Sequence, residues 1–542
     1  SALSARLVQI QLVNRQHYAE NSKKAYHSIE KLPALRGMIV DRHEEPLAKS
    51  IPVATLYVDK NHLLDPKLAS YGIAYQQASE ELGWKELDAG KQRRRINGLR
   101  GEILSRDSSD VIVQKHLAYA ISILSKPLGI RREDLRKTIE ASKGKWVPIA
   151  KDIPEDIADQ IRGDVDQYWI QGFEFENSIK RWYTSPTLAT HLTGFTGEVE
   201  EKDSEGKMHI KMLGRFGIES SMEKFLAGRD GSREHRRDAR GLVVPGNSAS
   251  LKPPRAGLNV KLTIDMGIQS IVEEELDAAL VEHESIRGAV VLMNPKNGEI
   301  LAMASRPHFD LNHKQNIAEN GYNYAIQAIY EPGSTIKIVA TSGALNEGLV
   351  SPNTSVNCHG GFYKSGAGEI KDDHPAGSLT FEGVLQKSNN IGTFSLGRQL
   401  GAKRFYQYIH HYGFGKKTGI LLSGESSGIA NNTNNEVDFS RACFGYAMNV
   451  TPLQLACAYS VIAGDGKLRK PRIVKSLVAN DGTLVEEFKS EVVHEVLKPK
   501  TAEKMRAALE KVVLKGGTAT RAAVVGFRVA GKTGTVQKHN PK

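Results

Sequence analysis

Three cysteines in 542 residues, Cys358, Cys443 and Cys457, form an odd set with no Cys-x-x-Cys spacing, which argues against a disulfide framework and against a zinc site. No apolar run reaches the roughly 18 residues that a membrane-spanning helix needs. The chain opens on Ser1 with no signal-peptide pattern. Seventeen histidines show no ligand spacing, and His410-His411 falls in a helical stretch, where surface or packing roles suffice. No metal and no cofactor is therefore expected. The basic clusters Lys91–Arg95 and Arg233–Arg240 carry neither interleaved aromatics nor a nucleic-acid motif. They read as solvated faces, and no nucleic-acid partner is expected. The net charge of +11 fits work near an anionic membrane or polymer.

Three short motifs stand in order over the last two hundred or so residues: Ser334-Thr335-Ile336-Lys337, Ser388-Asn389-Asn390 and Lys532-Thr533-Gly534-Thr535. Each recurs elsewhere and carries little alone. Ser-x-x-Lys also occurs at Ser28, Ser142, Ser204 and Ser221, and Lys-Thr-Gly at Lys417. Context selects one triple. Pro332-Gly333 precedes Ser334 and an apolar stretch follows, so Ser334 is predicted at the first turn of a buried helix. Unpaired backbone N–H groups and the positive helix end favour an oxyanion there. Lys337 lies three residues on, on the same face, within expected reach of the Ser334 hydroxyl. It serves as a base only if burial or a neighbouring cation, for which Lys532 is the candidate, lowers its pKa from about 10.4. Ser388 and Asn390 are predicted at a turn between helices over 380–387 and 391–400, where Ser388 can relay a proton and the Asn390 amide can hold a substrate amide. Ala522–Ala530 reads as a buried strand ending at Lys532. Lys532, Thr533 and Thr535 then suit a terminal carboxylate, Gly534 allows close backbone approach, and the Thr535 N–H is expected to join that of Ser334 in an oxyanion hole. The set describes acyl transfer through a serine ester.

Two parts are expected. Residues 1–255 read as an elongated, charge-rich, non-catalytic part with strands over 36–58 and 180–196 and helices over 67–82, 110–126, 132–142 and 153–163. Pro253-Pro254 and Gly257 mark its end. Residues 256–542 begin with a strand over 258–264, a helix over 265–283 and two strands, 287–293 and 299–305, joined through Asn297-Gly298. With a late strand ending in Lys532, this implies an antiparallel sheet with a helical subdomain, an α+β fold.

The motif triple is the set of the penicillin-binding proteins and class A β-lactamases. Beyond it, Arg36-Gly37-Met38-Ile39-Val40-Asp41-Arg42, Arg181-Trp182-Tyr183, His191-Leu192-Thr193-Gly194-Phe195, Gly217-Ile218-Glu219 and Leu226-Ala227-Gly228-Arg229-Asp230-Gly231 resemble the N-terminal boxes of class B penicillin-binding proteins. Among subtypes the chain most resembles the cell-division (FtsI-type) D,D-transpeptidase. The resemblance implies the penicillin-recognising serine transpeptidase fold, behind a pedestal of the dimerisation type. It implies catalytic Ser334, Lys337, Ser388, Asn390 and Lys532, and substrate-binding Thr533, Gly534 and Thr535. Peptidoglycan stem peptides would be the substrate, β-lactams the inhibitors, and an FtsW-like membrane glycosyltransferase with other division proteins the partners. It also implies a periplasmic location behind an N-terminal membrane anchor. Leu3, Leu7, Ile10 and Val13, at near-helical spacing, suit the stub of such a helix. The family continues beyond Lys-Thr-Gly with further strands and a helix, so Lys542 is expected not to be the native C-terminus. A serine β-lactamase, or a sensor or division scaffold of the same fold, stays open as an alternative.

Overall fold

The computed structural model describes residues 27–202, 208–237, 243–365 and 368–536. The helical stub expected over 1–25 and the serine at 204 lie outside them. The chain divides into two compact units. One holds the described residues up to Leu35 together with Ser50–Trp182 and Asp230–Pro254. The other holds Arg36–Lys49, Tyr183–Arg229 and the residues from Arg255 onward.

This division is interleaved in sequence, unlike the single cut expected near residue 255. The reason is strand pairing and charge. Ile39–Val40 lies parallel to Asn259–Leu262, with Val260 opposite Ile39, and Val474–Val478 runs antiparallel along the other side of Asn259–Leu262. Arg36 binds Glu219 at 2.6 Å and Glu223 at 2.7 Å. The early segments are thus built into the core of the larger unit. The strand expected over 36–58 is broken because the Asp41 carboxylate accepts the N–H groups of His43 and Glu45 and closes a turn before Pro46–Asp59. The strand expected over 180–196 stops at Tyr183, and Thr190–Thr193 forms one helical turn.

The smaller unit sets Trp146–Pro154 antiparallel to the later part of Pro46–Asp59, with the short helix Lys60–Leu63 and, among the described residues, five longer helices. Four match the expected stretches: Pro66–Ser79, Ser109–Leu128, Arg132–Ala141 and Glu155–Gln167. The fifth, Ala89–Arg106, carries the basic run at Lys91–Arg95, and that charge hid it. Its apolar positions Ile96, Leu99 and Ile103 do fall on one face, and Asp88 caps its first turn.

In the larger unit the hairpin Gly288–Met293 and Ile300–Arg306 pairs antiparallel, and helix Met266–Glu282 packs on it. Helix Lys337–Asn346 packs against helix Asn390–Leu400 and is buried from Lys337 through Leu345, so it is a core helix rather than an amphipathic one. The fold class is α+β, as expected, but the strand expected at Ala522–Ala530 does not form. Gly526 takes φ +83°, Phe527 N–H donates to Val524 C=O, and the turn leaves Val525 fully exposed. A turn inside the run breaks the extended ladder a buried strand requires.

One polar cluster ties the hairpin to its helix. Glu273, almost fully buried, accepts from Arg306 at 2.8 Å, from Gln269 Nε2 at 2.7 Å and from the Ala189 N–H at 2.7 Å. Removing the arginine strands a buried carboxylate. Arg306→Ala is expected to cost about 3–5 kcal/mol in chemical denaturation, whereas Arg95→Ala, which breaks the exposed Arg95–Glu81 pair, should leave stability nearly unchanged. Equal losses would contradict the reading.

Candidate active site

Ser334 is fixed by what precedes it. Tyr330 exchanges both backbone hydrogen bonds with Val450, and the Gly333 N–H donates to the Gly445 carbonyl at 3.1 Å. Gly333 has φ +53° and Gly445 φ +98°, and a Cβ on Gly445 would lie 1.9 Å from the Gly333 oxygen. Glycine is required here for close backbone approach. Ser334 then enters the 3-10 turn Gly333–Ile336 that leads into helix Lys337–Asn346.

Lys337 is fully buried. Its ammonium donates to the Ser388 carbonyl, to Asn390 Oδ1 at 2.6 Å and to Ser388 Oγ at 3.2 Å. These three acceptors use all its donors. The expected hydrogen bond to the Ser334 hydroxyl is therefore not made, and that hydroxyl has no partner among the described residues, although it faces the same cleft.

The second motif sits where the helices meet. Phe381–Gln386 ends just before it, and Asn389 caps Asn390–Leu400 through the Gly392 N–H at 2.7 Å. Ser388 takes φ +55°, a left-handed conformation costly for serine, which turns its carbonyl and hydroxyl toward Lys337. Lys532 Nζ donates to Ser388 Oγ at 2.8 Å and to its neighbour's carbonyl, Thr533 O, at 2.9 Å. One hydroxyl thus stands between two amines. The third motif passes close over the serine turn although it is not a strand. A Cβ on Gly534 would come within 2.8 Å of Thr335 Cγ2, and one on Gly333 within 3.0 Å of the Thr535 oxygen. Thr533 Oγ1 bonds Thr518 Oγ1 at 3.0 Å. Ser334, Ser388, Asn390, Thr533 and Thr535 line one polar cleft of about 700 Å³ with Asp372, Phe444 and Tyr446.

Asp372 had no signal in the sequence. Its carboxylate accepts the N–H groups of Asn390 and of Ile391 at the start of helix Asn390–Leu400. The Asn390 amide is held on both sides, Nδ2 by the Lys371 carbonyl at 3.1 Å and Oδ1 by Lys337. One N–H and one lone pair of that amide stay free for substrate.

Electrostatics follow from this packing. Burial, and then the charge of Lys532, lower the Lys337 pKa to about 7, against the opposing pull of Asp372 and Asp373. Burial lowers Lys532 to about 8 and raises Asp372 above the usual carboxylate range.

The rival motifs lie elsewhere. Ser221 Oγ donates to the Leu421 carbonyl, and Ser142 ends helix Arg132–Ala141. The second Lys-Thr-Gly forms a connection, in which the Thr418 and Gly419 N–H groups hold Glu425. The three cysteines are free and buried. No helix among the described residues is long and apolar enough to cross a membrane.

Asp372 favours the charged form of Lys337, so removing its charge should keep Lys337 neutral to lower pH. Asp372→Asn is expected to move the rising limb of the acylation rate with penicillin toward lower pH in a stopped-flow pH profile. A limb that stays in place with reduced amplitude would show that Asp372 acts only as a helix cap.

Comparison with known proteins identifies the domains and the fold. Residues 288–542 match the penicillin binding protein transpeptidase domain, and residues 31–262 the penicillin-binding protein dimerisation domain. Penicillin-binding protein PbpB of Mycolicibacterium smegmatis is 30% identical over 94% of this chain and 74% of its own length. Peptidoglycan D,D-transpeptidase FtsI of Escherichia coli K12 is 29% identical over 99% of this chain and 79% of its own. The crystal structure of penicillin binding protein 2X from Streptococcus thermophilus shares the fold, with a TM-score of 0.68 and 24% identity over 90% of this chain and 66% of that one. With both domain matches and these relatives over nearly its whole length, the chain belongs to the class B penicillin-binding proteins, the peptidoglycan D,D-transpeptidases.

Proposed function

We propose that this transpeptidase cross-links peptidoglycan stem peptides through an acyl-enzyme on Ser334, with Lys337 as its base. The observation that carries this reading is the pair of lysines on one serine: Lys337 and Lys532 both donate to Ser388 Oγ. A lysine that titrates near pH 7 is neutral in about half the molecules at neutral pH. Neutral Lys337 gives up its hold on one acceptor and takes the Ser334 proton. Ser334 Oγ attacks the carbonyl carbon of the penultimate D-Ala, and the charge that develops on its oxygen falls at the positive start of the serine helix. The C–N bond breaks, and terminal D-Ala leaves with a proton relayed through Ser388. An amine of a second stem then attacks the ester, forms the new amide, and returns the proton to Ser334. Lys532, Thr533 and Thr535, with Gly534 keeping the backbone close, suit the terminal carboxylate of the donor.

β-Lactams present the same carboxylate and a strained amide, so they would acylate Ser334 and remain there as a slowly hydrolysed ester. The likeness to FtsI supports a role in septal wall synthesis at the periplasmic face of the membrane, with a membrane glycosyltransferase of the FtsW kind and other division proteins as partners.

Mass spectrometry after penicillin tests the nucleophile. Ser334→Ala should abolish the adduct, while Ala at Ser142 or Ser221 leaves labelling intact; an adduct surviving on Ser334→Ala would refute the assignment. Cross-linking of a stem-peptide donor to an amine acceptor separates the transpeptidase from a sensor, and rapid adduct turnover would instead indicate a β-lactamase.

The duplicated triplet supplies an internal control. Lys532→Ala is expected to slow acylation about a hundredfold or more. Lys417→Ala should leave the rate within about twofold, since its triplet holds an internal carboxylate. Equal losses would place the active site wrongly.

A further inference from the structure

The second Lys-Thr-Gly triplet, Lys417-Thr418-Gly419, has no part in the chemistry above, yet it borders a small open pocket on the transpeptidase unit. We propose that this cavity binds a small organic anion with an apolar body, at a site separate from the catalytic cleft.

The floor is apolar: Tyr412, Cys457 and Leu468 are buried beneath it. The rim is cationic. Lys416, Lys417 and Lys470 all line it, and Lys470 folds across Gly419, where a Cβ would meet its Cε at 3.0 Å and its Nζ at 3.7 Å. Nearby carboxylates leave this charge largely unspent. Glu425 is held by the Thr418 and Gly419 N–H groups, Asp465 pairs with Arg469 at 2.7 Å, and Glu491 reaches Lys470 only at 4.0 Å. Lys416 and Lys417 thus have no ion-pair partner among the described residues. Burial first, then His494, His410 and Lys416, hold the pKa of the neighbouring His411 below the ordinary imidazole value.

Lysines that converge over an apolar floor suit a ligand with a phosphate or carboxylate at one end and a ring or short alkyl chain at the other. Neither half of such a ligand satisfies the cavity alone. An inorganic anion leaves the floor wet, and a neutral apolar molecule leaves the lysines unpaired. A soluble amphiphile and an anionic lipid share this chemistry.

Titration calorimetry on the full chain tests it with 1-naphthyl phosphate against inorganic phosphate and 1-naphthol. The naphthyl phosphate should bind at least about tenfold more tightly than either fragment, because burying its ring adds about 1.4 kcal/mol or more to the ion pairs. The double variant Lys416→Gln/Lys417→Gln, made at two exposed positions, should weaken it about tenfold while leaving penicillin acylation unchanged. Protein acylated by penicillin at the catalytic serine should bind as well as free protein. Competition by phosphatidylglycerol vesicles but not phosphatidylcholine vesicles would support the site with a lipid as the source; naphthyl phosphate binding without such competition would support it with a soluble ligand. No binding, equal binding by the double variant, or binding blocked by acylation would overturn the proposal. The last result would move the ligand to the catalytic cleft.

Discussion

Burying an ammonium group costs several kcal/mol unless its donors are met or its charge is given up, and Lys337 does some of both. Its three donors find oxygens in the Ser388-Asn389-Asn390 turn, while burial and the charge of Lys532 pull its pKa to about 7. The rest of the site can be read as the means of holding that compromise. Ser388 must adopt a left-handed backbone to offer both carbonyl and hydroxyl. Asp372 fixes the helix end that carries Asn390, and Lys371 orients its amide. Were Lys337 better paired it would stay protonated and be no base. Were it worse paired, the helix could not bury it.

The scaffold answers the same constraint at greater distance. The serine turn relies on two glycines at carbonyl contact, Gly333 and Gly445, and on the backbone bridge between Tyr330 and Val450. The Arg36–Glu219–Glu223 cluster anchors the early chain segments in the transpeptidase unit, and the Glu273–Arg306 cluster ties the hairpin to its helix. Arg36 and Glu219 belong to two of the N-terminal sequence boxes that mark the family. Their presence in the larger unit gives those boxes a physical purpose that their distance along the chain from the active site conceals.

Much of this was legible in sequence because it rests on local signals. Pro332-Gly333 before an apolar stretch marked the serine helix, Asn297-Gly298 marked the hairpin, and Asn389 is a good helix cap. What escaped depends on tertiary contacts. Asp372 gains its place only once the strand Gly368–Lys371 lies beside the start of helix Asn390–Leu400. Helix Ala89–Arg106 was masked by its basic run, although Ile96, Leu99 and Ile103 carried its period. The apolar stretch before Lys532 looked like a strand by composition, but Gly526 turns it, and composition does not report a turn that a single glycine permits. The Ser334–Lys337 spacing was right for one face of a helix, yet the lysine's hydrogen bonds go to the second motif, because three acceptors there outcompete one hydroxyl.

The central claim is that Lys337 is poised between charged and neutral forms before any substrate arrives. NMR titration of the protein labelled with ¹³C at lysine Cε, with the Lys337 resonance assigned by its loss in Lys337→Arg, measures this directly. The expected midpoint lies near the value of about 7 set by burial and Lys532. A Lys337 that titrates near the ordinary lysine value of about 10.4 would contradict it.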